Sequence, residues 1–187
     1  MRHTKKVSIP PSNASRLLHP MHTVLVTCVD KKGKANIITL AWAMPTSSTP
    51  PLVAISVAPR RYSYRLLEES REFVVNIPTM DIVRETLFCG RRSGKTHDKF
   101  AEARLTPIPA KVVQAPIIKE CAAHLECKLS QTFTTGDHVI FIGEVLHASA
   151  DEGSFSTVFN IKNAKLIYHL GGDQFTTLAE KIEEPEL

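Results

Sequence analysis

Short runs of apolar and β-branched residues, each bounded by Pro, Gly or Asp, constrain the fold of this 187-residue chain more than any other feature. Val, Ile and Thr suit the pleated surface of a sheet, and the turn residues between the runs end each strand. Val24–Asp30 and Ala35–Trp42 flank a turn in which Gly33 can take a positive φ, so the two runs predict a hairpin. The chain is therefore predicted to be mainly β.

The remaining pattern alternates strands with short helices. Further strands are predicted at Leu52–Ala58, Phe73–Ile77, Ala122–Thr132 and His138–Ala148, the last two joined as a second hairpin. Short helices are predicted at Tyr62–Ser70, at Met80–Phe88 with Gly90 marking its end, and at Asp98–Arg104, with a loop at Cys89–His97. About seven strands with three short helices favour a closed β-barrel, because closure removes exposed sheet edges.

Composition excludes several classes of protein. With 43% apolar residues the chain is expected to form one domain over residues 1–187, and its net charge of +4 is too mild to identify a nucleic-acid binder. Only 6% of residues are aromatic, too few for a base-stacking surface. No apolar stretch approaches the roughly 20 residues that span a bilayer, so we expect a cytoplasmic protein with no membrane partner.

Two motifs suggest other chemistry and fail on inspection. The segment Cys89–Thr96 nearly matches a nucleotide phosphate-binding loop, but Cys89 stands where the first glycine is required. The segment Cys121–Cys127 contains thiols and an imidazole, yet on a strand His124 would face away from both cysteines. We therefore expect no metal site and four free cysteines.

Two polar clusters could hold an anion. Arg60-Arg61-Tyr62-Ser63 lies where a strand meets a predicted helix, which combines guanidinium groups with a hydroxyl and free helix N–H groups. A solvated basic turn is an equally good interpretation of this tetrad alone. Ser93-Gly94-Lys95 and Asp98-Lys99-Phe100 form the second cluster, which by itself could be an exposed loop.

Two further features could serve either a ligand or the fold. Thr39–Trp42 ends a strand, where backbone groups released from sheet pairing could meet a ligand, although Trp42 could equally fill the core. Asn76 is an amide at the end of an apolar strand and must find partners whether or not a ligand supplies them.

The order of these segments resembles the flavin reductase-like family that includes flavoredoxin. The resemblance covers roughly residues 20 to 172, and it rests on the joint order of many weak motifs. These are Asn36–Trp42, Pro50-Pro51-Leu52, Arg61-Tyr62-Ser63, Phe73–Asn76, Cys89-Gly90, Ser93-Gly94-Lys95, Asp98-Lys99-Phe100, Leu125-Glu126-Cys127 and Gly136-Asp137-His138.

The resemblance implies a homodimeric split β-barrel of Greek-key type with FMN near the subunit interface. It assigns the flavin ring to Thr39, Leu40, Ala41, Trp42, Ser56 and Val57. It assigns the phosphate to Arg61 and Ser63, beside Tyr62. The rest of the pocket is assigned to Asn76, Cys89, Gly90, Ser93, Gly94 and Lys95, closed by Asp98, Lys99 and Phe100.

The implied activity is that of an FMN-dependent oxidoreductase. Electrons would come from NADH, NADPH or a protein donor and pass to free flavin, a ferric complex or a redox protein. His138 could contact the nicotinamide or make an ordinary hydrogen bond at the barrel end. The alternative is a non-enzymatic FMN electron carrier, which NAD(P)H alone would reduce very slowly.

Overall fold

A computed structural model describes residues 5–183 of the chain. The strands are β1 (Met21–His22), β2 (Val24–Val29), β3 (Ala35–Leu40), β4 (Ala43–Ser48), β5 (Pro51–Val57), β6 (Glu72–Ile77), β7 (Pro107–Ile108), β8 (Ile117–Ile118), β9 (Ala123–Thr135), β10 (His138–Ala150), β11 (Tyr168–Gly171) and β12 (Gln174–Thr176). The helices are α1 (Tyr62–Ser70), α2 (Val83–Arg91) and α3 (Lys99–Glu102), with 3₁₀ helices at Pro11–Leu18 and Met80–Ile82.

Seven antiparallel strands form the main sheet in the order β3-β2-β6-β9-β10-β5-β4. The long hairpin β9–β10 turns at Gly136 and Asp137, and Gly136 has a φ of +59° that glycine adopts without strain. Two smaller sheets have the strand orders β1-β11-β12 and β7-β8. The fold is mainly β with few helices, as the sequence predicts.

The core lies on both faces of the main sheet, because β2 is buried along its whole length. Val24, Val26 and Cys28 belong to one apolar cluster, into which Leu66 and Leu67 of α1 pack. Leu25, between them in the sequence, belongs to a second cluster with Phe100 of α3 and Cys89 of α2. The alternation of the strand therefore places α1 on one face and α2 with α3 on the other.

Both predicted hairpins and the helix at Tyr62–Ser70 are confirmed. The helix predicted at Met80–Phe88 begins as a 3₁₀ turn and continues to Arg91, so Gly90 lies inside α2 and the loop begins at Arg92. The predicted end at Gly90 is wrong because Gly90 packs close to Thr39, where a Cβ would lie 3.2 Å from the threonine Cβ. The helix predicted at Asp98–Arg104 is shorter, spanning Lys99–Glu102.

Closure of the barrel is not shown. The strand order of the main sheet ends at β3 on one side and β4 on the other within residues 5–183, and no ladder joins these two ends there. The strand β4 was not predicted, since it is largely exposed and contains Pro45. No helix in the described chain is long and apolar enough to cross a membrane.

Pairing of β1 with β11 brings the N-terminal segment to the C-terminal hairpin. Met21 pairs with His169, and the Nδ1 of His19 donates to the carbonyl of His169 over 2.9 Å. This contact holds the 3₁₀ helix at Pro11–Leu18 beside the ends of β3 and β5, where it borders the site described next.

Candidate functional site

A cavity of about 440 Å³ lies at the ends of β3 and β5. It is lined by Ser12, Asn13, Ser15, Arg16, His19, Ile38, Thr39, Leu40, Ala41, Trp42, Ser56, Val57, Ala58, Arg61, Gly90, His138 and His169. Thr39 is fixed in this wall because its hydroxyl donates to the carbonyl of Thr86 over 2.6 Å. We call this the large cavity.

A smaller cavity of about 140 Å³ lies at the N-terminus of α1, opposite the last turn of α2. It is lined by Ile38, Arg60, Arg61, Tyr62, Ser63, Cys89, Gly90, Arg91, Arg92, Ser93, Gly94 and Lys99. We call this the small cavity. It meets the large cavity at Ile38, Arg61 and Gly90, which line both.

The small cavity is strongly cationic. Four arginines and a lysine line it, and Arg61 is the N-cap of α1 without a side-chain capping hydrogen bond. The first turn of the helix therefore presents backbone N–H groups and the positive end of the helix dipole to this space. The arrangement is suited to an anion.

Lys99 forms the floor of the small cavity. Only 6% of it is exposed, and its Nζ donates to the carbonyls of Ile37 at 2.7 Å and Cys89 at 2.6 Å. Burial lowers the pKa of Lys99 from its usual 10.5 to about 8. This side chain joins the end of α2 to β3 and places a titratable cation under the site.

Asn36 was not predicted as a site residue in its own right, and it connects the two sides of the small cavity. Its Nδ2 donates to the Ser63 hydroxyl over 2.7 Å, so the Ser63 O–H proton is directed elsewhere. A Cβ on Gly94 would lie 1.8 Å from the Asn36 Oδ1, so any side chain there would force the loop or the amide to move. The signal in the sequence is a polar amide in an otherwise apolar strand.

His138 lies in the wall of the large cavity. Its ring centroid is 4.8 Å from that of Trp42, and its Nδ1 lies 2.7 Å from the Asp137 carboxylate. The His138 hydrogen bond also lowers the pKa of Asp137. Trp42 is 40% exposed, so it borders the cavity and does not fill the core.

The structure brings most of the predicted site residues together. Fourteen line the two cavities: Thr39, Leu40, Ala41, Trp42, Ser56, Val57, Arg61, Tyr62, Ser63, Cys89, Gly90, Ser93, Gly94 and Lys99. The remaining four, Asn76, Lys95, Asp98 and Phe100, line neither cavity.

Each of the four has a different place in the fold. Asn76 is fully buried, and its amide bonds the Leu25 carbonyl and the Ile118 N–H. Of the two roles that the sequence allows for this amide, these contacts match the one in which it serves the fold. Asp98 caps α3 by accepting from the Ala101 N–H, and Phe100 packs in the second apolar cluster. Lys95 is exposed on the loop after α2.

The four cysteines lie inside the fold. All four are buried and free, and burial raises the pKa of Cys28 and Cys127 to about 12 and that of Cys89 to about 11. Within residues 5–183, no three His, Cys, Asp or Glu side chains are grouped to hold a metal ion.

Comparison with known proteins identifies the relatives of this chain. The family model described as the flavin reductase like domain matches residues 15–176. An uncharacterised protein of Archaeoglobus fulgidus is 34% identical over 174 residues, covering 92% of this chain and 97% of that protein.

Two solved structures share the fold over nearly all of the chain. Flavoredoxin of Desulfovibrio vulgaris (Miyazaki F) superposes with a TM-score of 0.82 and 30% identity, covering 89% of this chain and 91% of its own. Nitrilotriacetate monooxygenase component B from Bacillus cereus gives a TM-score of 0.85 and 25% identity, covering 97% and 100%. The chain therefore belongs to the family of the flavin reductase like domain, a family of flavin-related oxidoreductases.

Proposed function

We propose that this protein binds FMN and transfers electrons from NADH or NADPH through it to free flavin, a ferric complex or a redox protein. The observation that carries the proposal is the junction of a wide cavity with a small cationic one at Arg61 and Gly90. FMN has the matching shape, with a flat ring at one end and a phosphate at the other.

The donor set of the small cavity fits a phosphate. Arg61 offers guanidinium donors, the first turn of α1 offers N–H groups, and Ser63 offers an O–H because Asn36 already occupies its acceptor side. Such charge-assisted hydrogen bonds are about twice as strong as neutral ones. The close approach of Gly94 to Asn36 keeps the loop against α1 and so supports a narrow anion site.

The large cavity fits a flat ring. Its volume of about 440 Å³ is that of a typical cofactor pocket. Leu40, Ala41 and Val57 supply apolar contacts, while the backbone at the end of β3 supplies polar ones. Ala41 and Trp42 lie between β3 and β4, outside either strand, so part of their backbone is available to a ligand.

In this proposal the chain binds and orients, and the flavin supplies the electron-transfer chemistry when bound. No catalytic pair of side chains is required. His138 is our candidate contact for the nicotinamide, because it lines the large cavity and Asp137 fixes its ring through a 2.7 Å hydrogen bond. The neighbouring Trp42 limits how far that ring can turn.

We also propose that the protein is a cytoplasmic homodimer. Trp42 and Met44 are 40% and 60% exposed beside the large cavity, and β4 is a sheet edge. A second copy would cover these apolar side chains and the unpaired edge. Sedimentation equilibrium of the purified protein checks this part separately.

The test of the proposed function is the absorption spectrum of the FMN-saturated protein under anaerobic conditions, as NADH, NADPH and then dithionite are added. Rapid bleaching by one pyridine nucleotide supports a reductase. Bleaching by dithionite alone overturns the reductase and supports the non-enzymatic carrier. Failure to retain FMN on a desalting column overturns both.

A further inference from the structure

A third cavity, of about 400 Å³, lies between the N-terminal 3₁₀ segment, α2 and the β11–β12 hairpin. It is lined by Arg16, Thr23, Thr39, Ala41, Arg61, Thr86, Leu87, Gly90, Arg91, His169, Gly172 and Phe175. Six of these residues also line the large cavity, so the two spaces are continuous: Arg16, Thr39, Ala41, Arg61, Gly90 and His169. The family resemblance assigns no role to the residues specific to this cavity.

Two buried hydroxyls of this cavity lack hydrogen-bond partners. Thr23 is 1% exposed and Thr86 is 0% exposed, and neither Oγ1 has a partner in the described part of the chain. Leaving a buried polar group unpaired is destabilising. Thr39, on the same wall, is satisfied by the Thr86 carbonyl. The two unpaired hydroxyls therefore require an explanation that the fold does not give.

The rim of the cavity carries positive charge. Arg91 pairs with Asp173 at the surface, whereas Arg16 and Arg61 form no ion pair with any residue from 5 to 183. Arg16 lies against β11, with its Nη1 3.4 Å from the Cβ position of Gly171. Arg16 is thus presented at the cavity by a segment that the His19–His169 hydrogen bond holds in place.

The opposite wall of the cavity is apolar. Leu87 of α2 and Phe175 of β12 line it, and both are partly exposed. A ligand that matches the arginine rim, the two hydroxyls and the apolar wall would carry a negative, hydrogen-bonding group on a flat apolar body. A carboxylate on an aromatic ring has this chemistry, and it would accept from both a guanidinium and hydroxyl groups.

We propose that this third cavity binds a small aromatic or similarly apolar carboxylate, with Arg16 holding the carboxylate and Thr23 and Thr86 supplying hydroxyl donors. That the carboxylate would lie beside a flavin rests on the proposed function. That this cavity binds the carboxylate does not rest on it. The charge of Arg16, the two hydroxyls and the apolar wall together define this class of ligand.

Benzoate is the probe, with neutral benzamide as its matched control, titrated into flavin-free and FMN-saturated protein by isothermal calorimetry. Arg16→Gln is expected to weaken benzoate about tenfold, the loss expected for one charge-assisted contact. Arg84→Gln, which removes the same charge from an exposed position of α2 outside the three cavities, is expected to change it less than twofold.

Thr86→Val separates ligand binding from folding, because valine keeps the shape and removes only the unpaired hydroxyl. The melting temperature is expected to stay level or rise, while benzoate weakens several-fold. Absence of saturable benzoate binding, equal effects of the two arginine variants, or unchanged affinity in Thr86→Val would each overturn the inference. A wild-type protein that binds benzoate but does not bind FMN would overturn only the proposed function.

Discussion

The two buried amides Asn76 and Asn36 show how the interior of the sheet differs from its cavity end. In the interior, the Asn76 Nδ2 donates to the Leu25 carbonyl at 3.0 Å, and its Oδ1 accepts from the Ile118 N–H and the His124 Nδ1, both at 2.9 Å. Burial lowers the pKa of His124, which favours the neutral ring that this donation uses. The polar groups of Asn76 are all engaged by the fold.

At the cavity end, Asn36 is almost as deeply buried, at 4% exposure, but only half of its amide is satisfied. Its Nδ2 holds Ser63, and its Oδ1 has no hydrogen-bond partner in the described chain. Buried polar groups are nearly always paired, so the unpaired Oδ1 distinguishes Asn36, whose partner Ser63 lines the small cavity, from Asn76, which the fold satisfies completely.

The largest effect is expected from Asn76→Leu. This change leaves the Ile118 N–H and the His124 ring without their acceptor, and it should lower the free energy of unfolding by about 3–5 kcal/mol. Urea unfolding of the wild type and the variant measures this difference in the free energy of unfolding. The dissociation constant of FMN for the protein that remains folded should change less than twofold, and a large loss of flavin affinity would place Asn76 in the site after all.

Arg61→Ala should weaken FMN by about 1.5–3 kcal/mol with little change in stability, because a charge-assisted contact to phosphate is lost. Arg65→Ala is the matched control, since Arg65 lies one turn further along α1 and pairs with Glu69. Fluorescence quenching of the flavin measures both. Equal affinities for the two variants would move the phosphate away from the small cavity.

Gly94→Ala should weaken FMN about tenfold, or about 1.4 kcal/mol. A Cβ would lie 2.7 Å from the Cγ of Asn36, so the loop and the amide must separate and Ser63 loses its support. Riboflavin, which lacks the phosphate, is the control ligand and should lose much less. A variant that binds FMN normally would show that the loop does not shape the anion site.

The smallest effect concerns pH. Because the pKa of Lys99 is about 8, its ammonium is present at pH 7.5 and largely lost at pH 9, and FMN affinity should fall about threefold over this interval. The decrease should be absent for riboflavin and in Lys99→Met. A pH dependence that persists in Lys99→Met would assign the titration to another group.

The sequence predicts the parts of this molecule that depend on local pattern. The β2–β3 and β9–β10 hairpins and the start of α1 at Tyr62 follow from local features, and the structure has them as expected. The end of α2 was misplaced because Gly90 is used for close packing against Thr39 in another element. Such a contact leaves no local signal.

For the candidate site too, residues marked by a local pattern were predicted and residues brought in by distant contacts were missed. Arg61 and Ser63 were predicted because a helix start can be recognised locally, and the structure places both in the small cavity. Arg16 and His169 were missed, since only the pairing of β1 with β11 brings them to the same space. Lys99 was expected to close the pocket, and it lines the small cavity, held there by two carbonyls that are distant in sequence.

The most direct test of the account compares the dissociation constants of FMN and riboflavin for the wild-type protein at pH 7, where Lys99 is charged. The two ligands differ only in the phosphate. We predict that FMN binds at least about a hundredfold more tightly, because the phosphate meets Arg61, Ser63 and the start of α1. Equal affinities would contradict a phosphate site in the small cavity, and no saturable binding of either would contradict a flavin site altogether.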